Sequence, residues 1–357
     1  MRKTKMTLTH AAALAGLGLI ATAASAAPVT GGKVAFLMPD QSSTRYEEHD
    51  RPGFVAEMKK LCAACEVLYQ NADGDASRQK KQFNAAIAQG AKVVVIDAVD
   101  TGAAAPLVKL AQAKGVKVIT YDRPIPGAKA DYYVSFNNEG IGKAIAQSLI
   151  EHLKAAGVAP NDVGVLIVNG SGTDAAAGLI KKGIHDAVDA SGYKTLAEYD
   201  TPDWVPAKAQ QWVAGQISRF GKKIVGVVAA NDGTAGGAYA AFKSAGVEPI
   251  PPITGNDATV AGLQLIIAGD AYNTISKPSE IVAAAAAGLA VALLGDAAPK
   301  AELMLYDTPS KLFTPAVVTA ANLKAEIIDK KINGKSIQSS ATLCVDRFAA
   351  GCKKLGM

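Results

Sequence analysis

Polar side chains follow four apolar strands of this chain, each at the point where a strand ends. Asp122 and Arg123 come directly after one strand, Asn231 after a second, and Asp257 and Lys277 after two later ones. In parallel α/β sheets, ligands bind outside the carboxyl ends of the strands. Carboxylates, an amide, a guanidinium and an ammonium gathered there suit a ligand that is rich in hydroxyl groups and lacks strong charge. We expect Asp122 to serve the ligand rather than the core, so that alanine there abolishes binding without lowering the melting temperature.

Two aromatic residues stand in loops that follow strands. Trp204 lies between Pro202 and Pro206, and Tyr46 lies beside Arg45 in a polar loop after the first strand. Such rings suit the C–H faces of a sugar, because each offers a broad apolar surface. The alternative is that either ring is tucked onto the core.

Two loop motifs have a competing interpretation. Residues 231–234 could simply be a helix cap, with Asp232 or Thr234 as the capping residue and Asn231 left facing the crevice. Residues 170–175 match the G-x-G-x-x-A fingerprint of dinucleotide sites, with Glu198 or Asp200 as the acidic partner. However, Asp174 would place a negative charge at the helix N-terminus that should receive the pyrophosphate. We therefore expect no nucleotide and no other cofactor.

No catalytic constellation is present in the sequence. No H-x-x-x-H spacing marks a metal site, no G-x-S-x-G marks a hydrolase, and His49, His152 and His185 stand in helical contexts expected to be solvated. The sequence thus gives no positive indication of catalysis. Carboxylate pairs can still perform glycosidic chemistry, so an exported α/β enzyme acting on a sugar or a nucleotide is the alternative.

The N-terminal residues 1–26 are typical of a secretory signal peptide. A basic start is followed by an apolar run over residues 11–24 and an A-x-A motif, so cleavage is expected after Ala26. Removing three basic residues with the signal leaves 34 of 37, against 32 acidic residues. This balance gives no electrostatic reason to bind nucleic acid or an anionic membrane. We expect an exported, soluble protein.

The four cysteines form two local pairs, Cys62 with Cys65 and Cys344 with Cys352. Four cysteines allow three connectivities, but proximity favours these two pairs in an oxidising compartment. The first pair could instead be a redox motif, which would need its first cysteine at a helix N-terminus. It follows a predicted helix over residues 54–61, so we favour two structural disulfides.

Apolar strands alternate with alanine-rich helical stretches, which is typical of an α/β fold. Strands are predicted over residues 34–38, 67–69, 93–96, 116–120 and 132–136, and then over 163–168, 193–199, 224–229, 253–254 and 272–276. Further helices are predicted over residues 78–89, 103–114, 281–294 and 321–331, the last in an otherwise irregular tail. The chain is thus predicted to form two similar three-layer lobes that meet near residues 134–138.

Five motifs follow one another in an informative order. They are Y-D-R at 121, D-Y-Y-V-S-F-N-N-E at 131, A-N-D-G-T-A-G-G at 230, G-N-D-A at 255 and K-P at 277. In this combination the sequence resembles the periplasmic sugar-binding proteins of ABC importers, of the ribose-binding type and closest to the D-xylose-binding members. The resemblance extends from residue 33 to about residue 330.

The resemblance implies two Rossmann-like lobes, the type I periplasmic-binding-protein fold, joined by a three-crossover hinge. Residues 28–135 with 278–304 would form the N-terminal lobe, and residues 136–277 with 305–357 the C-terminal lobe. A monomer would close on one monosaccharide or polyol in the periplasm and deliver it to a membrane ABC permease, or alternatively dock on a chemoreceptor. The implied ligand positions are Arg45, Tyr46, Asp122, Arg123, Asp174, Trp204, Asn231, Asp257 and Lys277.

The chain departs from the D-xylose-binding members at two places. Asp174 is followed by Ala175 and Ala176, where those members have two asparagines, and Ser276 precedes Lys277 where they tend to have tyrosine. A hydrogen-bonding amide is therefore missing from the second-lobe wall. We expect weak or absent preference for xylose over other sugars or polyols.

Overall fold

Strands and helices alternate along most of the chain in the computed structural model, which describes residues 29–332 and 334–357. The first part contains β1 (Gly32–Met38), α1 (Arg51–Leu61), β2 (Cys65–Asn71), α2 (Ala76–Ala88), β3 (Ala91–Ile96), α3 (Thr101–Ala113), β4 (Lys117–Tyr121), β5 (Tyr132–Phe136) and α4 (Asn138–Ala155). The second contains β6 (Gly164–Asn169), α5 (Ala175–Asp189), β7 (Lys194–Asp200), α6 (Pro206–Phe220), β8 (Ile224–Ala229), α7 (Asp232–Ser244), α8 (Val260–Ala268), β9 (Asn273–Ser276) and α9 (Ser279–Leu294). The C-terminal part contains β10 (Leu303–Leu305), β11 (Thr308–Phe313), β12 (Ala316–Thr319), β13 (Lys331–Ile332), β14 (Lys335–Ser336), α10 (Ser340–Leu343) and α11 (Ala349–Lys354).

The first lobe is built on a seven-stranded sheet with the order β10-β11-β5-β4-β3-β1-β2. Its strands are parallel except for β10, which runs antiparallel to β11. The central strands are apolar along most of their length because helices cover both faces of the sheet. α1 and α9 pack on one face, and α2 and α3 pack on the other.

The second lobe is built on a smaller parallel sheet, β7-β6-β8, which continues through a single bridge between Val227 and Ile253. The antiparallel pair β9–β12 lies next to it, and the Tyr272 N–H donates to Ile253 O at 2.8 Å. α4 and α5 cross very closely. A Cβ at Gly142 or Gly183 would lie 1.9 or 2.0 Å from a backbone oxygen of the facing helix, so only glycine permits this approach.

Three connections join the lobes: β5 to α4, β9 to α9, and β11 to β12. The last lies after Phe313, because β11 pairs in parallel with β5 in the first sheet. The predicted lobe boundary after residue 304 is therefore misplaced, since the strand that follows it belongs to the first lobe. The predicted strand at 253–254 is a single bridge, and the predicted helix at 321–331 is a π-helical segment, Lys324–Asp329.

Disulfides join Cys62 to Cys65 and Cys344 to Cys352. Cys62 directly follows α1, at the helix end where the helix dipole does not favour a thiolate, which suits a structural link. Among residues 29–332 and 334–357, every helix is too short or too polar to span a bilayer. The predicted signal peptide, residues 1–26, lies outside the described residues.

Candidate ligand-binding site

The carboxyl ends of both sheets face one cavity between the lobes. Each of the nine ligand positions expected from the sequence comes after a strand, where parallel sheets present their ligand-binding loops. The structure brings all nine to this cavity: Arg45, Tyr46, Asp122, Arg123, Asp174, Trp204, Asn231, Asp257 and Lys277. Their contact with a ligand stays a prediction.

Asp122 is held in place by its own backbone. It follows β4 with a φ of 57°, in the left-handed region, and its N–H donates to Val134 O at 3.0 Å. Its carbonyl oxygen accepts hydrogen bonds from Tyr133 Oη at 2.8 Å and from Ser135 Oγ at 2.9 Å. A left-handed non-glycine residue persists where its surroundings fix it. The turn thereby directs the Asp122 carboxylate towards the cavity.

The Asp122 carboxylate is shared between two cations. Arg45 Nη2 donates to Asp122 Oδ2, and Lys277 Nζ lies 3.8 Å from Asp122 Oδ1. Burial alone would raise the pKa of Asp122, but Arg45, Lys277 and Arg123 outweigh burial and hold that pKa below its ordinary value. The expectation that Asp122 serves the ligand rather than the core is therefore corrected, because this carboxylate also neutralises buried cations.

Arg123 is the centre of a second group of charges. Its guanidinium lies 3.2 Å from Asp40, 3.3 Å from Asp97 and 3.1 Å from Asp174, and it donates to Ala98 O at 3.0 Å. Asp174 belongs to the second lobe, so its ion pair with Arg123 spans the cleft. Burial raises the pKa of Asp97 well above its ordinary value, although Arg123 acts in the opposite direction.

The charges that line the cavity balance in the described part of the chain. Arg45, Arg123 and Lys277 are the lining cations, and the lining carboxylates are Asp122, Asp174 and Asp257. Asp40, Asp50 and Asp97 lie behind the two arginines and outside the lining. A carboxylate accepts hydrogen bonds but does not donate them, whereas guanidinium and ammonium groups only donate. A neutral molecule with several hydroxyl groups can bond to both kinds of group, whereas a charged ligand would disturb the balance.

Asp257 and Lys277 line the second-lobe side of the cavity, and Lys277 Nζ lies 3.0 Å from Asp257 Oδ1. Behind Asp257 lies Asp232, whose Oδ2 accepts from the Thr259 N–H at 2.8 Å and whose Oδ1 accepts from Thr274 Oγ1 at 2.7 Å. Burial, and then the charge of Asp257, raise the pKa of Asp232 to about 7. Asp232 thus ties the Asp257 loop to the sheet.

Trp204 lies against the loop that follows β6. Its Nε1 donates to Asp174 Oδ2 at 3.1 Å. A Cβ at Gly170, the first glycine of the dinucleotide-like segment, would lie 2.1 Å from the indole ring. Glycine is therefore needed here to leave room for the indole, and not for a phosphate. Asp174 also caps α5, since its Oδ1 accepts from the Ala176 N–H at 2.7 Å. A carboxylate therefore already occupies the helix end that a pyrophosphate would need.

Asn231 is the residue that caps α7, whereas the sequence analysis expected Asp232 or Thr234 in that role. Its Oδ1 accepts from the Thr234 N–H at 2.8 Å, so Asn231 itself caps α7, and Thr234 Oγ1 accepts from the Asn231 N–H at 3.3 Å in return. Asn231 also lines the cavity. With Oδ1 engaged in the cap, its NH2 group is the part that can donate to a ligand.

Ala176 lines the cavity as expected, and four further lining residues were missed from the sequence: Ser43, Asn138, Ile180 and Asn256. Ile180 stands four residues after Ala176 in α5, so the helical repeat would have placed it on the same face. Asn256 belongs to the G-N-D-A motif and is 1% exposed. The second-lobe wall is thus partly aliphatic, as expected from Ala176.

Of the three histidines expected to be solvated, His152 is exposed, whereas His49 and His185 are half-buried. His49 Nδ1 lies 2.8 Å from Glu280 Oε1, and His185 Nε2 lies 2.9 Å from Glu198 Oε1. His152 stacks on Tyr272 with ring centroids 4.2 Å apart. Each contact is structural. In the described residues, no group of three His, Cys, Asp or Glu side chains has the arrangement of a metal site.

Comparisons with known proteins agree over most of the chain. A family model described as a periplasmic binding protein domain matches residues 34–298. The D-xylose-binding periplasmic protein of Escherichia coli (strain K12) is 33% identical over 304 residues, which are 83% of this chain and 89% of that protein.

Solved structures show the same likeness across both lobes. An ABC transporter solute-binding protein from Clostridium phytofermentans, with bound β-D-glucose, has a TM-score of 0.78 at 25% identity and covers 87% of this chain and 99% of its own. The Caulobacter myo-inositol binding protein, bound to myo-inositol, has a TM-score of 0.71 at 25% identity and covers 82% of this chain and 95% of its own.

Proposed function

This chain belongs to the periplasmic binding protein family, and we propose that it is the sugar receptor of an ABC importer. The family and the type I fold expected from the sequence are confirmed. The observation that supports the proposal best is the cavity itself, which both lobes line with three cations, three carboxylates and one indole. The receptor captures a monosaccharide or polyol there and delivers it to the permease.

The residues divide the recognition of a polyhydroxylated ring between them. Asp122 and Asp257 accept hydrogen bonds from hydroxyl groups, while Arg45, Lys277 and the Asn231 amide donate to hydroxyl oxygens. The Trp204 ring offers an apolar face to the C–H groups of the ring. Because these groups come from both lobes, a ligand gains all its contacts only in the closed protein, and binding therefore favours closure.

The second-lobe wall restricts the class of sugar. Ala176 and Ile180 present no polar side-chain group to the cavity. A hydroxyl group facing them would lose its hydrogen bonds to water without replacement. We therefore favour a ligand that has fewer hydroxyl groups, or an apolar edge, on this side, and we expect no strong preference for D-xylose.

A thermal-shift screen of pentoses, hexoses and cyclic and linear polyols, followed by calorimetry on the positives, tests the receptor proposal. We expect at least one neutral member to bind one-to-one. Trp204→Leu should abolish that binding, whereas Trp212→Leu should retain it, because Trp212 stacks on Tyr199 and does not line the cavity. No stabilisation by any member of the panel would contradict the proposal.

Export, partners and the absence of catalysis complete the proposal. Cleavage after Ala26 predicts Ala27 as the first residue of the periplasmic protein, which intact mass spectrometry measures. We propose a monomer that meets the membrane permease, with chemoreceptor docking as the alternative use of the closed form. We also propose that it is not an enzyme, so that the bound sugar is recovered chemically unchanged, which NMR of the released ligand checks.

A further inference from the structure

The loop that resembles a dinucleotide fingerprint also touches the first lobe outside the cavity. Thr101, the first residue of α3, donates from its backbone N–H to Thr173 O at 3.0 Å and from its Oγ1 to the same oxygen at 3.1 Å. Thr101 is 5% exposed. Neither residue lines the ligand cavity, and neither was a candidate from the sequence.

Local structure leaves both partners of this contact free to bond across the cleft. The N–H groups of a first helical turn have no partners within the helix. Asp100 caps α3 by accepting from the Ala103 N–H, so the Thr101 N–H is left over. The Thr173 carbonyl precedes the cap residue Asp174 and lies outside α5. Opening the cleft exposes the Thr101 N–H, the Thr101 hydroxyl and the Thr173 carbonyl to water, and closing it joins them in two hydrogen bonds.

A second contact across the cleft lies one residue away and differs in kind. The ion pair between Arg123 and Asp174 is formed by side chains that line the cavity, so a ligand can perturb it. The contact between Thr101 and Thr173 does not touch the cavity. The closed protein therefore has inter-lobe contacts of two kinds: those whose side chains line the cavity, and those, like the contact between Thr101 and Thr173, that lie outside it.

We propose that the hydrogen bonds from Thr101 to Thr173 O form a ligand-independent latch that stabilises the closed lobes and sets the affinity for every ligand alike. The inference rests on the proposed function, because it assumes closure on a ligand. Apparent affinity is the intrinsic affinity of the closed form scaled by the fraction of protein able to adopt it. A latch that never meets the ligand changes that fraction and leaves selectivity untouched.

Thr101→Pro tests the latch because it removes both donors at once. Proline is favoured at the first position of a helix, and Asp100 already has the extended conformation that a residue before proline prefers, so α3 should be kept. Thr101→Val removes only the hydroxyl. Ala76→Pro is the matched control, since Ala76 is the first residue of α2 after the extended aspartate cap Asp75 and makes no contact across the cleft.

Calorimetry with each sugar that binds the unmodified protein is the primary measurement. Thr101→Pro should lower the affinity for every ligand by the same factor, about tenfold or more. Thr101→Val should lower the affinity for every ligand by a smaller common factor of about fivefold. Ala76→Pro should bind as the unmodified protein does. Unchanged affinity in Thr101→Pro, a loss that differs from sugar to sugar, or an equal loss in Ala76→Pro would overturn the latch.

Small-angle scattering of the ligand-free proteins separates the latch from the receptor proposal. If no sugar binds the unmodified protein, the receptor proposal fails, and scattering alone decides the latch. A larger radius of gyration in Thr101→Pro than in Ala76→Pro supports it, because fewer molecules are closed. Equal radii under those conditions overturn it.

Discussion

The two walls of the cavity are built differently. On the first-lobe side, Arg45, Asp122 and Arg123 are held by one another and by carboxylates behind them. On the second-lobe side, Asp174 and Asn231 are held by the helix ends that they cap. The first wall is thus fixed mainly by charge and the second mainly by backbone geometry, with the ion pair of Lys277 and Asp257 as the exception in the second wall.

This difference predicts how each wall responds to substitution. Removing one member of a buried ion pair leaves the other charge without compensation, so the first wall should lose stability together with binding. The second wall owes its shape to caps, glycines and aliphatic side chains. Changes there should shift affinity and selectivity at a smaller cost in stability.

The largest effect is expected for Asp122→Ala. It should abolish sugar binding and lower the free energy of unfolding by about 3–5 kcal/mol, because Arg45 and Lys277 stay buried with less compensation. Urea denaturation of the ligand-free protein measures the second effect. Glu66→Ala is the control, since the pair of Lys33 and Glu66 is exposed and should contribute less than about 1 kcal/mol. Equal stability of the two variants would contradict the claim that buried ion pairs hold the first wall in place.

The next effect is a pH dependence at Asp232, which supports the second wall from behind. Its folded pKa of about 7 exceeds the ordinary 3.8, so the folded protein retains a proton that the unfolded chain has lost. The stability that this proton contributes is full below about pH 4 and is lost as the pH rises through about 7. Asp232→Asn should therefore gain stability relative to the unmodified protein across that range, by up to about 4 kcal/mol.

Urea denaturation at several pH values between 4 and 8 measures this difference. The exposed Asp296→Asn is the isosteric control, and its difference from the unmodified protein is subtracted at each pH. A parallel pH profile for Asp232→Asn and the unmodified protein would show that Asp232 titrates as an ordinary carboxylate.

Gly170→Ala should have an intermediate effect. The added Cβ would lie 2.1 Å from the Trp204 ring and must displace it, at a cost of about 1–3 kcal/mol and with weaker sugar binding. Gly172→Ala is the matched control in the same loop, because its Cβ would have no atom within 4 Å. Tryptophan fluorescence and calorimetry report both effects. If both variants bind equally well, the indole does not need its present position.

The smallest effect is expected for Ala176→Asn, which adds an amide to the aliphatic wall. It should raise the affinity for D-xylose by about 1 kcal/mol if one good hydrogen bond forms. Ala175→Asn is the control, since Ala175 precedes it in α5 but does not line the cavity. Tight, xylose-selective binding by the unmodified protein with no gain in Ala176→Asn would refute the aliphatic-wall interpretation.

That the nine positions lie at one cavity could be predicted from the sequence, because it follows from topology, whereas their contact with a ligand stays a prediction. In a parallel sheet every strand ends at the same edge, so Asp122 and Asn231 lie at the ligand-binding edges of their sheets. Lys277 follows β9 of the antiparallel pair beside the second sheet. The sequence did not predict the carboxylates behind the cavity residues. Asp50 and Asp97 lie in other segments, and their pairing with Arg45 and Arg123 depends on how separate loops fold onto one another.

The lobe boundary was missed for a similar reason. β11 is a short strand with mixed polarity, Thr308–Phe313, in the tail of the chain. Its partner β5 ends far earlier in the sequence, at Phe136. Strand pairing over such a separation leaves no local pattern in the sequence. The alternation of apolar strands and helices in the earlier part of the chain is a local pattern and could be recognised.

The balance of charges around the cavity makes the receptor selective for charge as well as for shape. Uronic acids and sugar phosphates share rings and hydroxyl groups with neutral sugars, but their negative charge would enter a cleft whose three cations are already paired with carboxylates. Such anions would be turned away in the periplasm. The importer would then spend ATP only on uncharged nutrients, and the first selection among solutes would be made before any of them reached the membrane.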